Sequence, residues 1–532
     1  MLINVHCAKC IGIDAVPVTV EVDIATGIGI HLVGLADAAV KESLLRTITS
    51  LQSMGFKIPG RKIVINLAPA DMHKKGSGYD VPIAIGIIAA SGQRELPFLD
   101  EFIIMGELGL DGSVRGISGA LPIAELASRR GLKGCILPKD SAIEAAEYDG
   151  IGIYGVDTLD DVLKILGGEE DCSGLLVRNL MRGTQKCAAC RTEAAAENRN
   201  EAYPDFSEII GQDGAKRGIE IAAAGNHNVL LIGSPGSGKS SLAKAMAGIL
   251  PPLSHDEALQ TSKIYSVAGI GNTSGGLMRK RPFRSPHYSA SVAALIGGGS
   301  DNILPGEISL AHNGVLFADE LCEMPKKVLE VLRAPIEDRK VVISRLKTKV
   351  EYPADFMLVA ATNPCPCGYY GEGDRCTCTP SRRQTYLSRL SGPIVDRIDV
   401  QLWVPKVNAR SLVNRQPSET SADVAARVLK AREIQMKRFA ADNQSAEETG
   451  RKVFCNSAMT NSMIEKYCPL SPDCKTLLEK IMDRYGLSAR AWSRIIKLAR
   501  TIADLAGAPD ILPEHISEAA SYRSLDRQDA FE

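Results

Sequence analysis

The chain has 532 residues, of which 45% are apolar and 23% are charged, and its formal net charge is −1. These values are close to the average of globular proteins, so they exclude a disordered or collagen-like chain. The near-zero net charge also excludes a uniformly basic nucleic-acid-binding protein, so that any anion must bind at a local patch.

Nothing in the sequence indicates export or a membrane span. The longest apolar run, residues 81–90, is about half as long as a transmembrane helix. The N-terminus lacks the basic and apolar segments of a signal peptide. Fourteen cysteines in such a chain indicate reduced thiols or metal ligands rather than disulfides. We therefore expect a cytoplasmic protein of three or four domains without membrane contact.

Residues 1–168 show the patterns of short strands and helices. Alternating apolar and polar residues predict half-buried strands at residues 16–22 and 63–67. Between them, a stripe of apolar residues predicts a helix that begins after Asp37 and ends at Gly55. We expect an α/β domain here, followed by a polar linker over residues 169–204 that lacks periodicity.

The remaining chain divides into an α/β part and a helical part. Residues 205–405 alternate helical segments with apolar strands predicted at 228–232, 314–318 and 356–361, which favours a largely parallel sheet. Residues 406–532 carry apolar stripes at helical spacing. The expected fold class is therefore a multidomain α/β protein with an α-helical C-terminal domain.

A complete P-loop pattern lies between a predicted strand and a predicted helix, which is the context that this motif requires. Its residues are Gly233, Ser234, Pro235, Gly236, Ser237, Gly238, Lys239 and Ser240, followed by Ser241. Such a loop wraps its backbone N–H groups around phosphates, while Lys239 reaches the β and γ phosphates and Ser240 offers a hydroxyl to Mg²⁺. We predict that ATP and Mg²⁺ bind here; a glycine-rich turn with a chance lysine is the alternative.

The strand predicted at residues 314–318 ends in two acids, which is typical of a Walker B motif. Asp319 would hold Mg²⁺, and Glu320 would polarise the attacking water. This assignment predicts hydrolysis and not only nucleotide binding. The alternative is a strand that ends in a solvated acid pair.

Cysteine pairs indicate a possible metal site. Cys365, Cys367, Cys376 and Cys378 lie within fourteen residues, and four thiolates could hold a structural Zn²⁺. Free thiols are the alternative. Two further pairs could form a second site if the linker folds back, namely Cys7 with Cys10 and Cys187 with Cys190.

Several long segments resemble the magnesium-chelatase-like AAA+ family, and more narrowly its bacterial ComM/YifB branch. The run RPFRSPHYSASVAALIGGGSDNILPGEISLAHNGVLFADE covers residues 281–320. The segments NPCPCGYYG, LSGPIVDRIDV and LSARAWSRIIKLARTIADLAG are similar to the same branch. VGLADAAVKES and INLAPADMHKKGSGYDVPIAIGIIAASGQ resemble its first domain.

The resemblance implies three domains, each with its own fold. These are a Lon-protease-like (S5-type) domain over residues 1–168, an AAA+ core over 205–405 and a helical lid over 406–532. It also implies a homo-oligomeric, hexameric ring in which ATP is bound between neighbouring subunits. Asn363 matches the sensor residue that positions the attacking water, although an Asn-Pro turn would explain it as well.

Two arginines match family positions that act on the γ-phosphate. Arg397 matches the arginine finger, and a local salt bridge with Asp396 or Asp399 is the alternative. Arg490 matches the second sensor arginine of the lid. Arg494 and Lys497 share its helical face, so a solvated basic face would also explain Arg490.

Related DNA motors carry two insertions that face the pore of the ring, and these correspond here to residues 284–301 and 340–352. Arg345, Lys347 and Lys349 alternate along the second insertion and would share one face of a strand. By this resemblance they are DNA-contact candidates. A solvated edge strand, on which lysines discourage aggregation, is the alternative.

A Lon-type protease needs a catalytic dyad of a serine beside a lysine. The serine position falls near Asp80 and the lysine position near Leu121, and neither residue is suitable. Ser77 and Lys75 lie nearby in the sequence. The resemblance therefore implies a domain without proteolytic activity.

Taken together, these features imply a ring-forming AAA+ ATPase that moves on single-stranded or branched DNA. By resemblance, it would act as a branch-migration helicase on recombination intermediates, including those formed during DNA uptake. The alternatives are a metallochelatase-type motor subunit, a protein-remodelling AAA+ ATPase and a Lon-like protease. The chelatase alternative lacks support from a metal-binding integrin-like domain, and the remodelling alternative would need an aromatic pore loop, for which Tyr352 is the nearest candidate.

Overall fold

The computed structural model describes most of the chain in several segments. These are residues 2–34, 38–74, 76–146, 148, 150–169, 172–178, 203–271, 276–299, 303–345, 349–390, 392–407, 418–445 and 452–523. Several residues singled out in the sequence lie outside these ranges, namely Asp37, Lys75, Cys187, Cys190 and Lys347.

The N-terminal region contains short strands and five helices among its described residues. Its strands are β1 (Ile3–Ile11), β2 (Asp14–Ala25), β3 (Ile30–Val33), β4 (Lys62–Ala68), β5 (Phe102–Ile104), β6 (Glu107–Leu108), β7 (Val114–Arg115), β8 (Gly134–Pro138) and β9 (Gly152–Val156). Its helices are α1 (Ala38–Ser53), α2 (Asp80–Ala90), α3 (Ala120–Arg129), α4 (Lys139–Glu144) and α5 (Leu159–Gly167).

Two larger sheets, together with the two-stranded sheet of β6 and β7, form this region around one hydrophobic core. The first has the order β1-β2-β4-β3, and the second is a parallel sheet in the order β5-β8-β9. Alternation explains the strands of the first sheet, because Val18, Val20 and Val22 of β2 are all buried while their neighbours face outward. Helix α2 is apolar on every side and is buried along nearly its whole length, which accounts for the longest apolar run of the chain.

The middle region contains the second core. Its strands are β10 (Val229–Ile232), β11 (Phe283–Arg284), β12 (Gly297–Gly298), β13 (Leu304–Pro305), β14 (Val315–Ala318), β15 (Lys340–Ser344), β16 (Lys349–Pro353), β17 (Met357–Thr362) and β18 (Val400–Trp403). Its helices are α6 (Asp213–Gly225), α7 (Lys239–Ile249), α8 (His255–Val267), α9 (Val292–Ile296), α10 (Glu307–Leu310), α11 (Lys326–Asp338), α12 (Pro380–Leu387) and α13 (Gly392–Val395).

A five-stranded parallel sheet organises the middle region, with the order β11-β14-β17-β10-β18. Strands β10, β14 and β17 are buried on both faces, as expected of parallel strands covered by helices. The three strands predicted from the sequence are therefore confirmed. Because all strands run in the same direction, the loops that follow them meet at one edge of the sheet.

The C-terminal region is helical, as predicted. Its helices are α14 (Ser421–Ser445), α15 (Asn461–Tyr467), α16 (Pro472–Tyr485), α17 (Ala489–Leu505) and α18 (Pro513–Ser521). Helix α14 packs on α6 through a buried stripe that includes Val424 and Val428. The end of this region also covers the outer edge of β18, where the Gln401 N–H donates to the Tyr522 carbonyl at 2.8 Å and Arg523 Nη1 donates to the Ile398 carbonyl at 2.7 Å.

Helix α8 joins the first two regions, although it follows the P-loop helix in the sequence. It packs against α3, and the Gly119 N–H donates to the Ser266 carbonyl at 3.0 Å. Lys263 of α8 also forms an ion pair with Glu125 of α3. The N-terminal region is thus held to a helix that begins shortly after the nucleotide-binding segment.

Candidate functional site

The P-loop, residues 233–240, follows β10 and leads directly into α7. Gly236 and Gly238 have φ angles of +76° and +94°, a backbone region that glycine adopts without a steric penalty and that curls the loop. Lys239 is the first residue of α7, so the N–H groups around it belong to a helix N-terminus, where positive potential favours phosphate. The local geometry is therefore suited to a phosphate chain.

The ammonium group of Lys239 lies inside this loop. Its Nζ donates to the carbonyl oxygens of Gly233 at 2.6 Å and Ser234 at 3.0 Å, and to Asn363 Oδ1 at 3.3 Å. Burial lowers the pKa of Lys239, while the charges of Asp319 and Glu320 oppose that shift. Lys239 and Asn363, the predicted sensor residue, are thus in direct contact.

Strand order explains why these groups meet. β17 lies between β14 and β10, so Asn363, which follows β17, emerges between Asp319 and the P-loop. The Gly233 N–H donates to the Thr362 carbonyl at 3.2 Å and fixes the start of the loop beside the end of β17. Three loops with separate positions in the sequence therefore form one site.

Two oxygen groups at this edge could hold Mg²⁺. Ser240 Oγ donates to Asp319 Oδ2 at 3.2 Å, and hydroxyl and carboxylate oxygens are ligands that Mg²⁺ prefers. The buried Ser237 hydroxyl has no hydrogen-bond partner within the described part of the chain, as expected if a ligand completes the loop. The residues present fit a magnesium nucleotide.

Glu320 lies next to this pair and is exposed. Its backbone has φ +52° and ψ +44°, which is uncommon for a residue other than glycine and turns the chain sharply after β14. The Glu320 N–H donates to Asp319 Oδ1 at 3.0 Å, so the same turn orients the carboxylate that would hold the metal.

Arg397 lies at the opposite edge of the sheet. Asn228, which precedes β10, donates from Nδ2 to the Arg397 carbonyl at 2.9 Å, whereas the P-loop follows the other end of β10. A four-residue strand spans roughly 13 Å. Arg397 forms an ion pair with Glu337 at 2.6 Å, and its side chain is 10% exposed. The ion pair of Arg397 is thus formed with Glu337 of α11 and not with the neighbouring Asp396 or Asp399 named as the sequence alternative.

Arg490 is close to the same segment. Its Nη1 lies 4.0 Å from Asp396 Oδ2, and its side chain is 66% exposed. Arg494 instead pairs with Asp399 at 3.2 Å, and Lys497 Nζ donates to the Ser457 carbonyl at 3.1 Å. Burial lowers the pKa of both Arg494 and Lys497. These two residues are therefore not a solvated basic face, and only Arg490 is open to solvent.

Asp399 connects this edge to the helical region. Burial alone would raise its pKa, but the hydrogen bond with His227 and the charge of Arg494 hold the pKa of the carboxyl well below its usual range. The ion pair between Arg494 and Asp399 fixes Arg494 of α17 to the segment that carries Arg397. The two candidate γ-phosphate arginines consequently share one rigid support.

The four cysteines predicted as a metal site come together. All four Sγ atoms of Cys365, Cys367, Cys376 and Cys378 lie within 4.8 Å of one another, including a distance of 3.3 Å between Cys365 and Cys367. Four converging thiols fit a tetrahedral thiophilic metal such as Zn²⁺. Cys7, by contrast, is fully buried in the N-terminal core, and burial raises the pKa of its thiol.

The second insertion forms a hairpin of β15 and β16 in which Ser344 pairs with Lys349. Arg345 follows the first strand and Lys349 begins the second, so the prediction that these cations share one face of a single strand is wrong: the chain reverses between them. Both side chains are exposed. Tyr352 is fully buried and donates its hydroxyl to the Ile303 carbonyl at 2.6 Å, so it is not available as an aromatic pore residue.

The dyad positions of the Lon-like region are filled by packed residues. Asp80 is fully buried and accepts hydrogen bonds from Ser43, from Arg46 at 3.1 and 3.2 Å, and from the Leu108 N–H at 3.2 Å. Leu121 is also fully buried. The nearby Ser77 hydroxyl contacts the Glu107 carboxylate.

Comparison with known proteins decides the family. Profiles described as "Magnesium chelatase, subunit ChlI", "Subunit ChlI of Mg-chelatase" and "Magnesium chelatase, subunit ChlI C-terminal" match residues 205–412, 20–141 and 418–523. A protein named YifB from Salmonella typhimurium is 41% identical over 98% of this chain and 97% of its own length. Competence protein ComM from Haemophilus influenzae is 41% identical over the same shares of both chains. The chain belongs to the ComM/YifB branch of the magnesium-chelatase-like family.

Membership of this branch supports an AAA+-type ATPase with a mixed α/β architecture, and relatedness to chelatase subunits indicates oligomeric assembly. Archaeal Lon protease from Methanocaldococcus jannaschii is 28% identical over 150 residues, which are 28% of this chain and 23% of that protein. Within the described ranges, none of the helices is both long and apolar enough to cross a membrane.

Some residues at the site could not have been chosen from the sequence. Glu337 has no motif of its own and reaches Arg397 because α11 packs against α13, the short helix that precedes Arg397. His287 and Tyr288 form an exposed ring pair with centroids 4.3 Å apart. The sequence signal for this pair is the adjacent His-Tyr step inside the first insertion, which a pattern of charges alone does not single out.

Proposed function

We propose that this chain forms a ring in which ATP is hydrolysed between neighbouring subunits, and that hydrolysis drives movement on DNA. One observation carries the proposal: the P-loop and Arg397 lie at opposite edges of the same sheet. A subunit built in this way cannot bring its own Arg397 to its own P-loop without unfolding the sheet. Head-to-tail neighbours can, and such contacts close into rings. A hexamer is the ring that the family resemblance implies.

The residues of the P-loop edge would divide the work of hydrolysis. Lys239 binds the β and γ phosphates, and Ser240 with Asp319 would hold Mg²⁺, which neutralises phosphate charge. Glu320 accepts a proton from the attacking water, and Asn363 orients that water. Arg397 and Arg490 of the neighbouring subunit stabilise charge on the γ-phosphate. Each arginine would first exchange its present carboxylate partner for phosphate.

The exposed surface of the two insertions supports a nucleic-acid partner. Arg345 Nη2 lies 3.5 Å from the position of a β-carbon on Gly298, so the hairpin contacts the first insertion. Arg345 and Lys349 offer positive charge, while His287 and Tyr288 offer rings on which bases can stack. Lys347 remains a further candidate outside the described residues. Since a relative with full-length similarity is named a competence protein, we propose branch migration of recombination intermediates during DNA uptake.

The other parts of the chain would support this motor. We propose a Lon-like domain without proteolytic activity over residues 1–168, a linker over 169–204, an AAA+ core over 205–405 and a lid over 406–532. Cys365, Cys367, Cys376 and Cys378 would hold a structural Zn²⁺, which confers rigidity and takes no part in the chemistry.

The proposal is tested by measuring ATP hydrolysis with and without forked or four-way DNA. We expect DNA to stimulate hydrolysis, and Glu320→Gln to reduce the rate by about 10²-fold or more because the proton acceptor is lost. Glu323→Gln is the matched control, since Glu323 lies three residues further on and pairs with Arg389. Hydrolysis that no DNA stimulates would contradict the DNA motor and favour a chelatase-type or protein-remodelling motor.

A further inference from the structure

The loop that carries the four cysteines packs directly on the P-loop. The Gly368 N–H donates to the Cys365 carbonyl at 3.0 Å and closes a tight turn that includes Cys367. A β-carbon built on Gly368 would lie 2.8 Å from Pro235 Cδ and 3.0 Å from Pro235 Cγ. The backbone of this turn therefore lies against the middle of the loop that binds phosphate, with no room for a side chain between them.

The start of the same segment contacts the P-loop a second time. Asn363, two residues before Cys365, accepts a hydrogen bond from Lys239 Nζ at 3.3 Å. The P-loop is thus contacted by residues on both sides of the first cysteine pair. Any change in the shape of the cysteine turn would be transmitted to Pro235 and Lys239 through these contacts.

The thiols decide how firmly the turn is held. Cys367 Sγ lies 3.7 Å from Cys376 Sγ, and Cys365 Sγ lies 3.8 Å from Cys376 Sγ. Contacts of this length between thiols are weak, whereas a divalent metal bound by four thiolates fixes all four residues at once. A metal would therefore join the first pair to the second pair and prevent the turn from moving away from Pro235.

We infer that a thiophilic divalent metal on Cys365, Cys367, Cys376 and Cys378 positions the P-loop through the contact between Gly368 and Pro235, so that nucleotide affinity depends on metal occupancy. This inference rests on the proposed function, because it assumes ATP at residues 233–240 and a metal at the cysteines. Gly368 is a positioning residue: it acts on the nucleotide through Pro235.

The chain offers a matched pair of glycines to test the contact. Gly368 and Gly371 lie in the same loop with φ angles of +85° and +89°, but a β-carbon on Gly371 would meet nothing within 4 Å. Alanine causes the same backbone strain at both positions, and only Gly368→Ala adds the clash with Pro235. We expect Gly368→Ala to weaken binding of a fluorescent ATP analogue about tenfold, and Gly371→Ala to change it less than about threefold.

A double variant separates this contact from general damage to the loop. Pro235→Ala removes the ring atoms Cγ and Cδ and leaves only the Cβ methyl group, so the clash disappears in this background. Gly368→Ala should then cost little further affinity. An equal loss of affinity in both backgrounds, or an equal loss for Gly368→Ala and Gly371→Ala, would overturn the role of the contact.

The metal is tested on the full-length protein. Metal is removed with a mercurial reagent and a chelator, the thiols are restored with reductant, and Co²⁺ is added as a spectroscopic probe. We expect the absorption of tetrahedral Co²⁺–thiolate, at one equivalent per chain, and a return of nucleotide affinity on the same titration. Cys376→Ser should weaken both signals, although the contacts to Pro235 and Lys239 described above come from Gly368 and Asn363.

The outcomes distinguish this inference from the proposed function. If the untreated protein binds no nucleotide, the ATPase assignment itself fails. If it binds nucleotide but never binds Co²⁺ or Zn²⁺, the metal site fails. If it binds both, and nucleotide affinity is the same with and without metal, only the coupling inferred here is overturned.

Discussion

The N-terminal region and the middle region each carry an aspartate that the family resemblance aligns with a functional position, and the two aspartates have opposite surroundings. Asp80 is fully buried, and Ser43, Arg46 and the Leu108 N–H donate to it. Asp319 is only half-buried and has the Ser240 hydroxyl and the Glu320 N–H as neighbours. The first carboxylate is enclosed by its own protein, and the second is accessible to a ligand.

This contrast shows how packing distinguishes an aspartate that stabilises the fold from an aspartate that can bind a ligand. Burial raises the pKa of Asp80, and the hydrogen bonds from Ser43 and Leu108 and the charge of Arg46 only partly oppose the shift. All its donors come from the protein, so none is left for a substrate. At the P-loop edge, in contrast, Ser237 and Ser240 keep groups available for a ligand.

The largest effect should come from the far edge of the middle region. We expect Arg397→Ala to lower the rate of ATP hydrolysis about 10³- to 10⁵-fold, because an arginine that stabilises γ-phosphate charge is lost. Binding of ATP should persist, since Arg397 lies at the opposite end of the sheet from the P-loop. Steady-state hydrolysis and equilibrium binding of an ATP analogue measure the two effects, with the exposed Arg382→Ala as control.

Mixing two inactive variants makes this test sharper. Lys239→Ala subunits still offer Arg397, and Arg397→Ala subunits still offer an intact P-loop. A mixed ring should therefore recover part of the hydrolysis that neither variant shows alone. Arg397 would be merely a structural partner of Glu337 if the mixture stayed inactive and Arg397→Ala alone also failed to bind nucleotide.

A smaller effect is expected in the N-terminal region. Asp80→Ala should destabilise it by about 3 kcal/mol, since Ser43, Arg46 and the Leu108 N–H lose their common acceptor in a buried site. Nucleotide binding should remain as in the unmodified chain. Hydrogen–deuterium exchange of α2 in the full-length protein measures the loss, and Glu42→Ala on the exposed face of α1 is the control. Asp80 would have a role beyond packing if hydrolysis fell while α2 stayed protected.

Lowering the pH should destabilise the middle region more than the N-terminal region. The difference in the free energy of unfolding should be similar to or smaller than the effect of Asp80→Ala. His312 is buried in the middle region, where Nδ1 accepts the Asp355 N–H at 3.0 Å. Burial lowers its pKa from 6.5 to about 4. Between these values the unfolded chain binds a proton that the folded chain does not, so the free energy of unfolding falls as pH falls, by about 3 kcal/mol over this window.

The pKa shift of Asp80 has the opposite effect on stability. Because the pKa of Asp80 is raised in the folded chain, its contribution to the free energy of unfolding is fully present at low pH and is lost as pH rises. Acidification from pH 7 to pH 5 should therefore reduce exchange protection in the middle region before the N-terminal region, after correction for the intrinsic exchange rate. His312→Asn should remove most of the difference. Equal losses in both regions at both pH values would contradict this account.

Local patterns were sufficient to predict the elements that build the site. The buried strands that end at Ile232, Ala318 and Thr362 have continuous apolar runs, and the P-loop carries its own signature. The parallel order of these strands then brings Lys239 and Asn363 together. Each of these steps depends on short-range sequence information and on the rule that loops meet at one edge of a parallel sheet.

Contacts between distant segments could not be predicted in the same way. The pairing of Arg397 with Glu337 and the burial of Tyr352 depend on how α11 and the hairpin pack on the sheet. The alternation of Arg345 and Lys349 in the sequence predicts a single strand. A hairpin gives the same spacing of charges in the sequence, so the pattern cannot distinguish the two. Gly368 carried no signal beyond its place after a cysteine pair, and only its distance to Pro235 reveals its importance.

The cover over β18 has a consequence for how the protein is made. The Tyr522 carbonyl and the Arg523 side chain occupy hydrogen-bonding positions beside this edge strand, yet they are among the last described residues to be synthesised. While the ribosome is still translating the helical region, the sheet can already be complete except for an open edge, and open edges recruit other strands. We therefore expect chains that end before Arg523 to associate through the uncovered edge of β18 more readily than the full chain does.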